Sequence, residues 1–251
     1  MPETDHRDRP GPPASGSNRP APQDIGDLAR AAAERGDRTI AAADLLLTAS
    51  DESTLGDVTA VRFENCTLDD AAVAWLVAAA GRLDELEVPR CLLGLPAIGR
   101  LVKKADLSRL RTLDLTENEL GNAGAERIAR DGERFAALER LDISWNELGD
   151  RGLEALLAGG FPKLAELRIA ASHVTEPDFA LLPESLRTLE LPGNPLGEEL
   201  LEDDRLAALA SLDRLVVSEE AEPAVREKLA KLLGDRLTVE ADTAAADGEP
   251  S

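Results

Sequence analysis

Aromatic residues make up only 2% of this 251-residue chain, and tyrosine is absent. A core without rings must be aliphatic, built from Leu, Val, Ile and Ala. That suits many small, similar layers better than one sandwich or barrel packed on bulky side chains. Cysteine is as scarce: Cys66 and Cys91 are too few for a disulfide framework. The longest apolar run, AAVAWLVAAA at 71–80, falls far short of the ~20 residues that span a membrane. The first 24 residues hold no apolar stretch, so no secretory signal is expected and a cytoplasmic protein is. Positive charge is the other shortage. Lys and Arg number 28 against 49 Asp and Glu, a net charge of −21. The acidity is spread over the chain rather than held in a tail, so a phosphate backbone would be repelled and nucleic acid is not an expected partner. High net charge also keeps a Leu-rich chain dissolved and separate, and a monomer is expected.

What the chain does have is a repeat. Eleven-residue segments with the pattern L-x-x-L-x-L-x-x-N/C-x-L start at 58 (VTAVRFENCTL), 83 (LDELEVPRCLL), 110 (LRTLDLTENEL), 138 (LERLDISWNEL), 164 (LAELRIAASHV) and 186 (LRTLELPGNPL). LDRLVVSEEAE at 212 keeps the first half, and RLTVEA near 236 offers a last strand. Each unit then carries a helical stretch, as in LGNAGAERIA and LGDRGLEALL. Ala72, Ala97, Gly124 and Gly152 share a small-residue slot expected to let the helix lie close to the strand layer. Leu76, Leu101, Ile128 and Leu156 follow one turn later and should point inward.

The recurring motif resembles the leucine-rich repeat family, and among its classes the long-repeat, ribonuclease-inhibitor-like one, over about residues 58–240. The resemblance implies an α/β solenoid, a horseshoe with parallel strands on the concave face and helices on the convex face. It also implies non-catalytic binding of a partner protein through the concave face, without a cofactor. Spacing agrees with the curvature, since strands sit ~4.8 Å apart and packed helices 8–10 Å. The unit at 164 contains Pro177 and Pro183, so its helix should shrink to a single turn, and Leu200 fills the small-residue slot of the next unit. The expected organisation is a Pro/Gly-rich disordered arm at 1–24, an N-terminal cap of two helices at 25–57 and repeats at 58–221. A cap with a helix at 223–233 follows at 222–240, then a frayed tail at 241–251.

The repeat register sorts side chains by face. Asn118, Asn146 and Asn194 should form an internal ladder bonded to the backbone. Cys66 and Cys91 occupy the same slot, either as small buried residues or as a redox pair in adjacent layers. Outward columns place Arg62 by Glu87, Asp142 by Arg168 and Arg140 by Glu166, each with an opposite charge alongside. Asp114 instead falls between Glu87 and Asp142, and three neighbouring carboxylates should repel one another. Such a group can dock Lys or Arg of a partner with a basic patch. Its alternatives are a cation site or carboxylate-based hydrolysis at Glu87, Asp114 and Asp142. Trp145, beside Glu117 and Arg140, sits at the rim where nothing in the repeat demands an indole, whereas Trp75 lies in an apolar helix and should pack. The expected partner-binding set is therefore Glu87, Asp114, Glu117, Arg140, Asp142, Trp145 and Arg168. An enzyme is not expected. His173 stands three layers, about 14 Å, from Cys91, and the chain has no Gly-rich phosphate loop or HExxH.

Overall fold

The computed structural model describes residues 21–50 and 57–241, so most of the expected arm and tail lie outside the described residues. In chain order the elements are β1 (Gln23–Asp24), α1 (Ile25–Arg35), β2 (Thr39–Ala43), β3 (Leu46–Thr48), β4 (Ala60–Glu64), β5 (Thr67–Leu68) and α2 (Asp70–Ala79). Then come β6 (Glu85–Glu87), α3 (Gly94–Lys104), β7 (Thr112–Asp114), α4 (Gly121–Arg130), β8 (Arg140–Asp142), α5 (Gly149–Leu157) and β9 (Glu166–Arg168). The chain continues through β10 (Thr188–Glu190), β11 (Arg214–Ser218), α6 (Pro223–Leu233) and β12 (Leu237–Glu240).

One parallel sheet of nine strands runs in the order β12-β11-β10-β9-β8-β7-β6-β4-β2 and is open, with β2 and β12 as its edges. Beside it β1, β3 and β5 form a small three-stranded sheet. Register follows the motif: Leu86, Leu113, Leu141, Leu167, Leu189 and Leu215 stand side by side across the large sheet, and all are buried. Every second strand residue points at the helices, so the apolar slots fuse into one continuous core. Leu76, Leu101, Ile128 and Leu156 close that core from the helix side, as their spacing predicts.

Three expectations need correction. The second cap helix does not form: residues 39–48 instead make β2 and β3, and β2 pairs with β4 in repeat register, Ile40 against Val61 and Ala42 against Phe63. This is a further turn of the repeat, starting at Asp37, in which Asp37 and Ala42 stand where other units carry bulky apolar residues. The low apolar bulk reads locally as helix, yet pairing with a ready-made strand edge outweighs that preference. Second, part of the supposed arm is ordered, since Gln23 and Asp24 pair with Leu47 and Thr48. Third, the small-residue slot serves the loop rather than the strand layer. A Cβ on Gly124 would lie 2.5 Å from the Leu120 Cβ, and one on Gly152 2.7 Å from the Leu148 Cβ. The room goes to the Leu that ends each motif and tucks under the helix start.

The short unit behaves as its prolines dictate, with one 3-10 turn, Phe179–Leu181, on the helix side. The following unit uses 3-10 helices at Glu198–Asp204 and Ala207–Ser211, with Leu200 fully buried. Helix α6 covers residues 223–233 as expected, with Pro223 in its first turn, and β12 completes the sheet.

Candidate functional site

The site is positioned by the loops that leave the strands. In four of them the chain turns through left-handed backbone on both sides of the ladder residue: Arg90 and Leu92 around Cys91, Glu117 and Glu119 around Asn118, Trp145 and Glu147 around Asn146, Ala171 and His173 around Ser172. Buried side chains hold these loops. Asn146 Nδ2 donates to the carbonyls of Leu115, Ile143 and Ser144 at 2.9–3.1 Å. Its Oδ1 accepts from the backbone N–H of Asn118 and Leu120 at 2.9 and 3.1 Å. Asn118 and Asn194 repeat the arrangement. Cys66 and Cys91 occupy the ladder slot as free, buried thiols. The Cys91 Sγ lies 3.1 Å from the Phe63 carbonyl, and burial pushes its thiol up to about 12. A thiol so held is poorly reactive, which fits a packing role.

On the sheet's open side the outward residues of β6 to β10 line a groove of about 270 Å³. It brings together five of the seven expected residues: Glu87, Asp114, Arg140, Asp142 and Arg168. Arg62 holds Glu87 at 3.1 Å and Glu85 at 2.9 Å, while Arg168 spans Asp142 at 3.7 Å and Glu190 at 3.0 Å. Asp114 stands between Glu87 and Asp142 in register. Among the described residues no Lys or Arg nitrogen comes within ion-pair distance of it; its Oδ1 accepts from the Thr116 N–H at 2.9 Å. Burial raises the Asp114 carboxyl above the ordinary carboxylate range. The Thr116 hydrogen bonds and Arg168 oppose that rise, and Asp142 adds to it. Glu87 is raised as well, again chiefly by burial, with Arg62 opposing and Asp114 adding. Removal from water thus outweighs the mutual repulsion that the sequence suggested. The expected Arg140–Glu166 pair does not form: Arg140 Nη2 turns to the opposite neighbour and donates to Thr112 Oγ1 at 3.0 Å.

Glu117 and Trp145, the other two expected residues, lie apart from this groove. They line a second depression of about 360 Å³ with Asn65, Thr67, Arg90, Leu92 and Glu119. Trp145 is 53% exposed and Leu92 65%, the two most exposed of the large apolar side chains. Trp75, by contrast, is fully buried in α2, as expected. Leu92 was not among the expected residues. The signal was available in CLLGL: Cys91 and Leu93 are both inward motif slots, so the residue between them must face out. The cation and hydrolytic alternatives gain no support. Among the described residues no three His, Cys, Asp or Glu are grouped to hold a metal, and arginines engage both neighbours of Asp114. Nor is any helix of the described residues long and apolar enough to cross a membrane.

The fold and its surface define a parallel-sheet repeat protein whose strand side carries an acidic groove and a part-apolar cleft. A family model described as Leucine Rich repeat matches residues 108–129 and 137–157, the two units that supply Asp114, Asn118, Asp142 and Trp145. The match supports a leucine-rich repeat family, whose repeats generally mediate protein–protein binding and typically serve as non-enzymatic scaffolds. No curated protein matches the chain.

Proposed function

We propose that this protein is a non-catalytic scaffold that binds a partner protein through the strand side of its repeat sheet, bent so that this side is concave as in a horseshoe. Residues 58–221 form the binding module, extended at its start by the turn at 37–47 and closed by 222–240. The observation that carries this reading is Asp114, a part-buried carboxylate at the middle of a groove, which no Lys or Arg among the described residues pairs with. A Lys or Arg from a partner would offset the cost of holding that charge away from water, while the surrounding acidic field speeds encounter.

Affinity capture with three versions of the intact chain tests this. Wild type and Arg151→Glu, on the exposed face of α5, should retain a common set of proteins, and Asp114→Arg should lose it. Retention of the same set by Asp114→Arg sinks the groove assignment. Captured complexes should also weaken as salt rises, because the contacts that select the partner are charged.

A further inference from the structure

The depression between Trp145 and Leu92 combines three features that folding does not require. Both side chains are large, apolar and mostly in water. Both sit on left-handed backbone, with φ of 58° at Trp145 and 51° at Leu92, a conformation that disfavours every residue with a Cβ. The unit at 186 fills the Trp145 slot with Gly193 at φ 69°, so the loop geometry asks for no side chain there. The third feature is charge. Glu119 is exposed on the same cleft and makes no ion pair among the described residues. Arg90, the cleft's one base, is engaged by Glu64 and lies 3.8 Å from Glu117. Trp145 and Leu92 come from units two apart, about 10 Å by layer spacing, and Leu92 stands two positions further along its loop, with Glu117 and Glu119 in the layer between them. A side chain entering the depression can therefore meet both apolar groups and both carboxylates.

We propose that this cleft is a recognition subsite for a single arginine side chain of the partner polypeptide. The three-carbon stem and planar guanidinium lie between Leu92 and the face of the Trp145 indole, and the charged end meets Glu119 and Glu117. A purely apolar side chain would cover the walls but strip water from the two carboxylates without replacing it. An acidic one would be repelled. Arginine is favoured over lysine because its flat cation stacks on an indole and offers paired donors to a carboxylate. The proposal rests on the reading of the strand side as a protein-binding surface and adds to it a second contact point, separate from the Asp114 groove.

Trp145 itself is the probe. Trp75 is sealed in the core, so the exposed indole dominates any change in tryptophan emission when a ligand enters the cleft. The intact protein would be titrated with a blocked glycine hexapeptide carrying one central arginine. Matched peptides carry citrulline, which has the same shape without charge, or leucine. The arginine peptide should give a saturable change with a dissociation constant on the order of millimolar, as suits one contact point, and the other two should give none over the same range. Glu119→Gln should weaken the arginine peptide by about two- to fivefold. An equal response to citrulline or leucine, an arginine response unchanged in Glu119→Gln, or no response to any peptide each overturns the subsite. Asp114→Arg separates this from the groove reading. An arginine response that persists while this variant captures the same proteins as wild type leaves the subsite standing and removes the groove. Lost capture with no arginine response removes the subsite alone.

Discussion

Asn146 shows how much one side chain carries here. Its amide satisfies five backbone groups in two consecutive units, all shut away from water. Asn146→Ala should therefore cost about 3 kcal/mol or more, read as a lowered urea midpoint, since each buried group left unpaired costs about 1–3 kcal/mol. Ser172→Ala, in the same slot but removing one 3.0 Å bond to the Ala170 carbonyl and a long contact from the Asn146 N–H, should cost about 1 kcal/mol. Trp145→Gly should leave the midpoint unchanged or raise it, because relief of a left-handed φ opposes glycine's greater chain entropy; a clear loss of stability would mean the indole is a packing element. At Asp114 the folded carboxyl titrates above its unfolded value. The native state therefore holds more protons between those two values, and stability falls as pH rises through that interval. Asp114→Asn should raise the urea midpoint at about pH 7, and the gain should shrink as pH falls toward about 4, the ordinary aspartate range. Orientation at this scale was legible in the sequence because the motif fixes which slots face out. Partner choice was not: Arg140 has a neighbour on either side, and its long, flexible side chain took Thr112 over Glu166.

Helices α3, α4 and α5 pack along one side of the sheet, and the ends of α4 and α5 meet at two glycines. A Cβ on Gly132 would fall 1.9 Å from the Gly159 carbonyl oxygen. Only backbone movement could relieve that overlap, so Gly132→Ala should lower the urea midpoint by the equivalent of about 1–3 kcal/mol. Arg134 ties the same region together by donating to the Val102 and Ala105 carbonyls at the end of α3. At the element scale periodicity was a strong guide. It located β4 and β6 to β12, α6 and the proline-shortened turn at 179–181, because each is set by spacing that sequence displays directly. It missed β2 because Ala41–Ala43 have no bulk to announce a strand; only the adjacent edge of β4 makes them one. It also gave the wrong cause for Gly124 and Gly152, since a crowded neighbour four residues back leaves no mark on the repeat period.

Across the whole molecule, each layer touches mainly its neighbours, so local opening should be cheapest where a layer has a neighbour on one side only. Amide hydrogen exchange should be slowest in β7 and β8, flanked by the Asn118 and Asn146 loops, and fastest in β2 and β12; uniform protection across the sheet would contradict a layered energy scale. The side-chain amides also give the stack a direction. Asn118 accepts from Leu93, Asn146 from Asn118 and Leu120, and Asn194 from Ser172 and Val174. In every case the oxygen that finishes a loop belongs to the following unit. A chain growing from the ribosome therefore leaves each of these three turns with donors that await an amide not yet made, and the turn sets only when translation has moved one layer on. Cutting between units would likewise leave unlike wounds: the stretch before the cut loses acceptors its buried donors need, while the stretch after it keeps an amide oxygen with nothing left to serve.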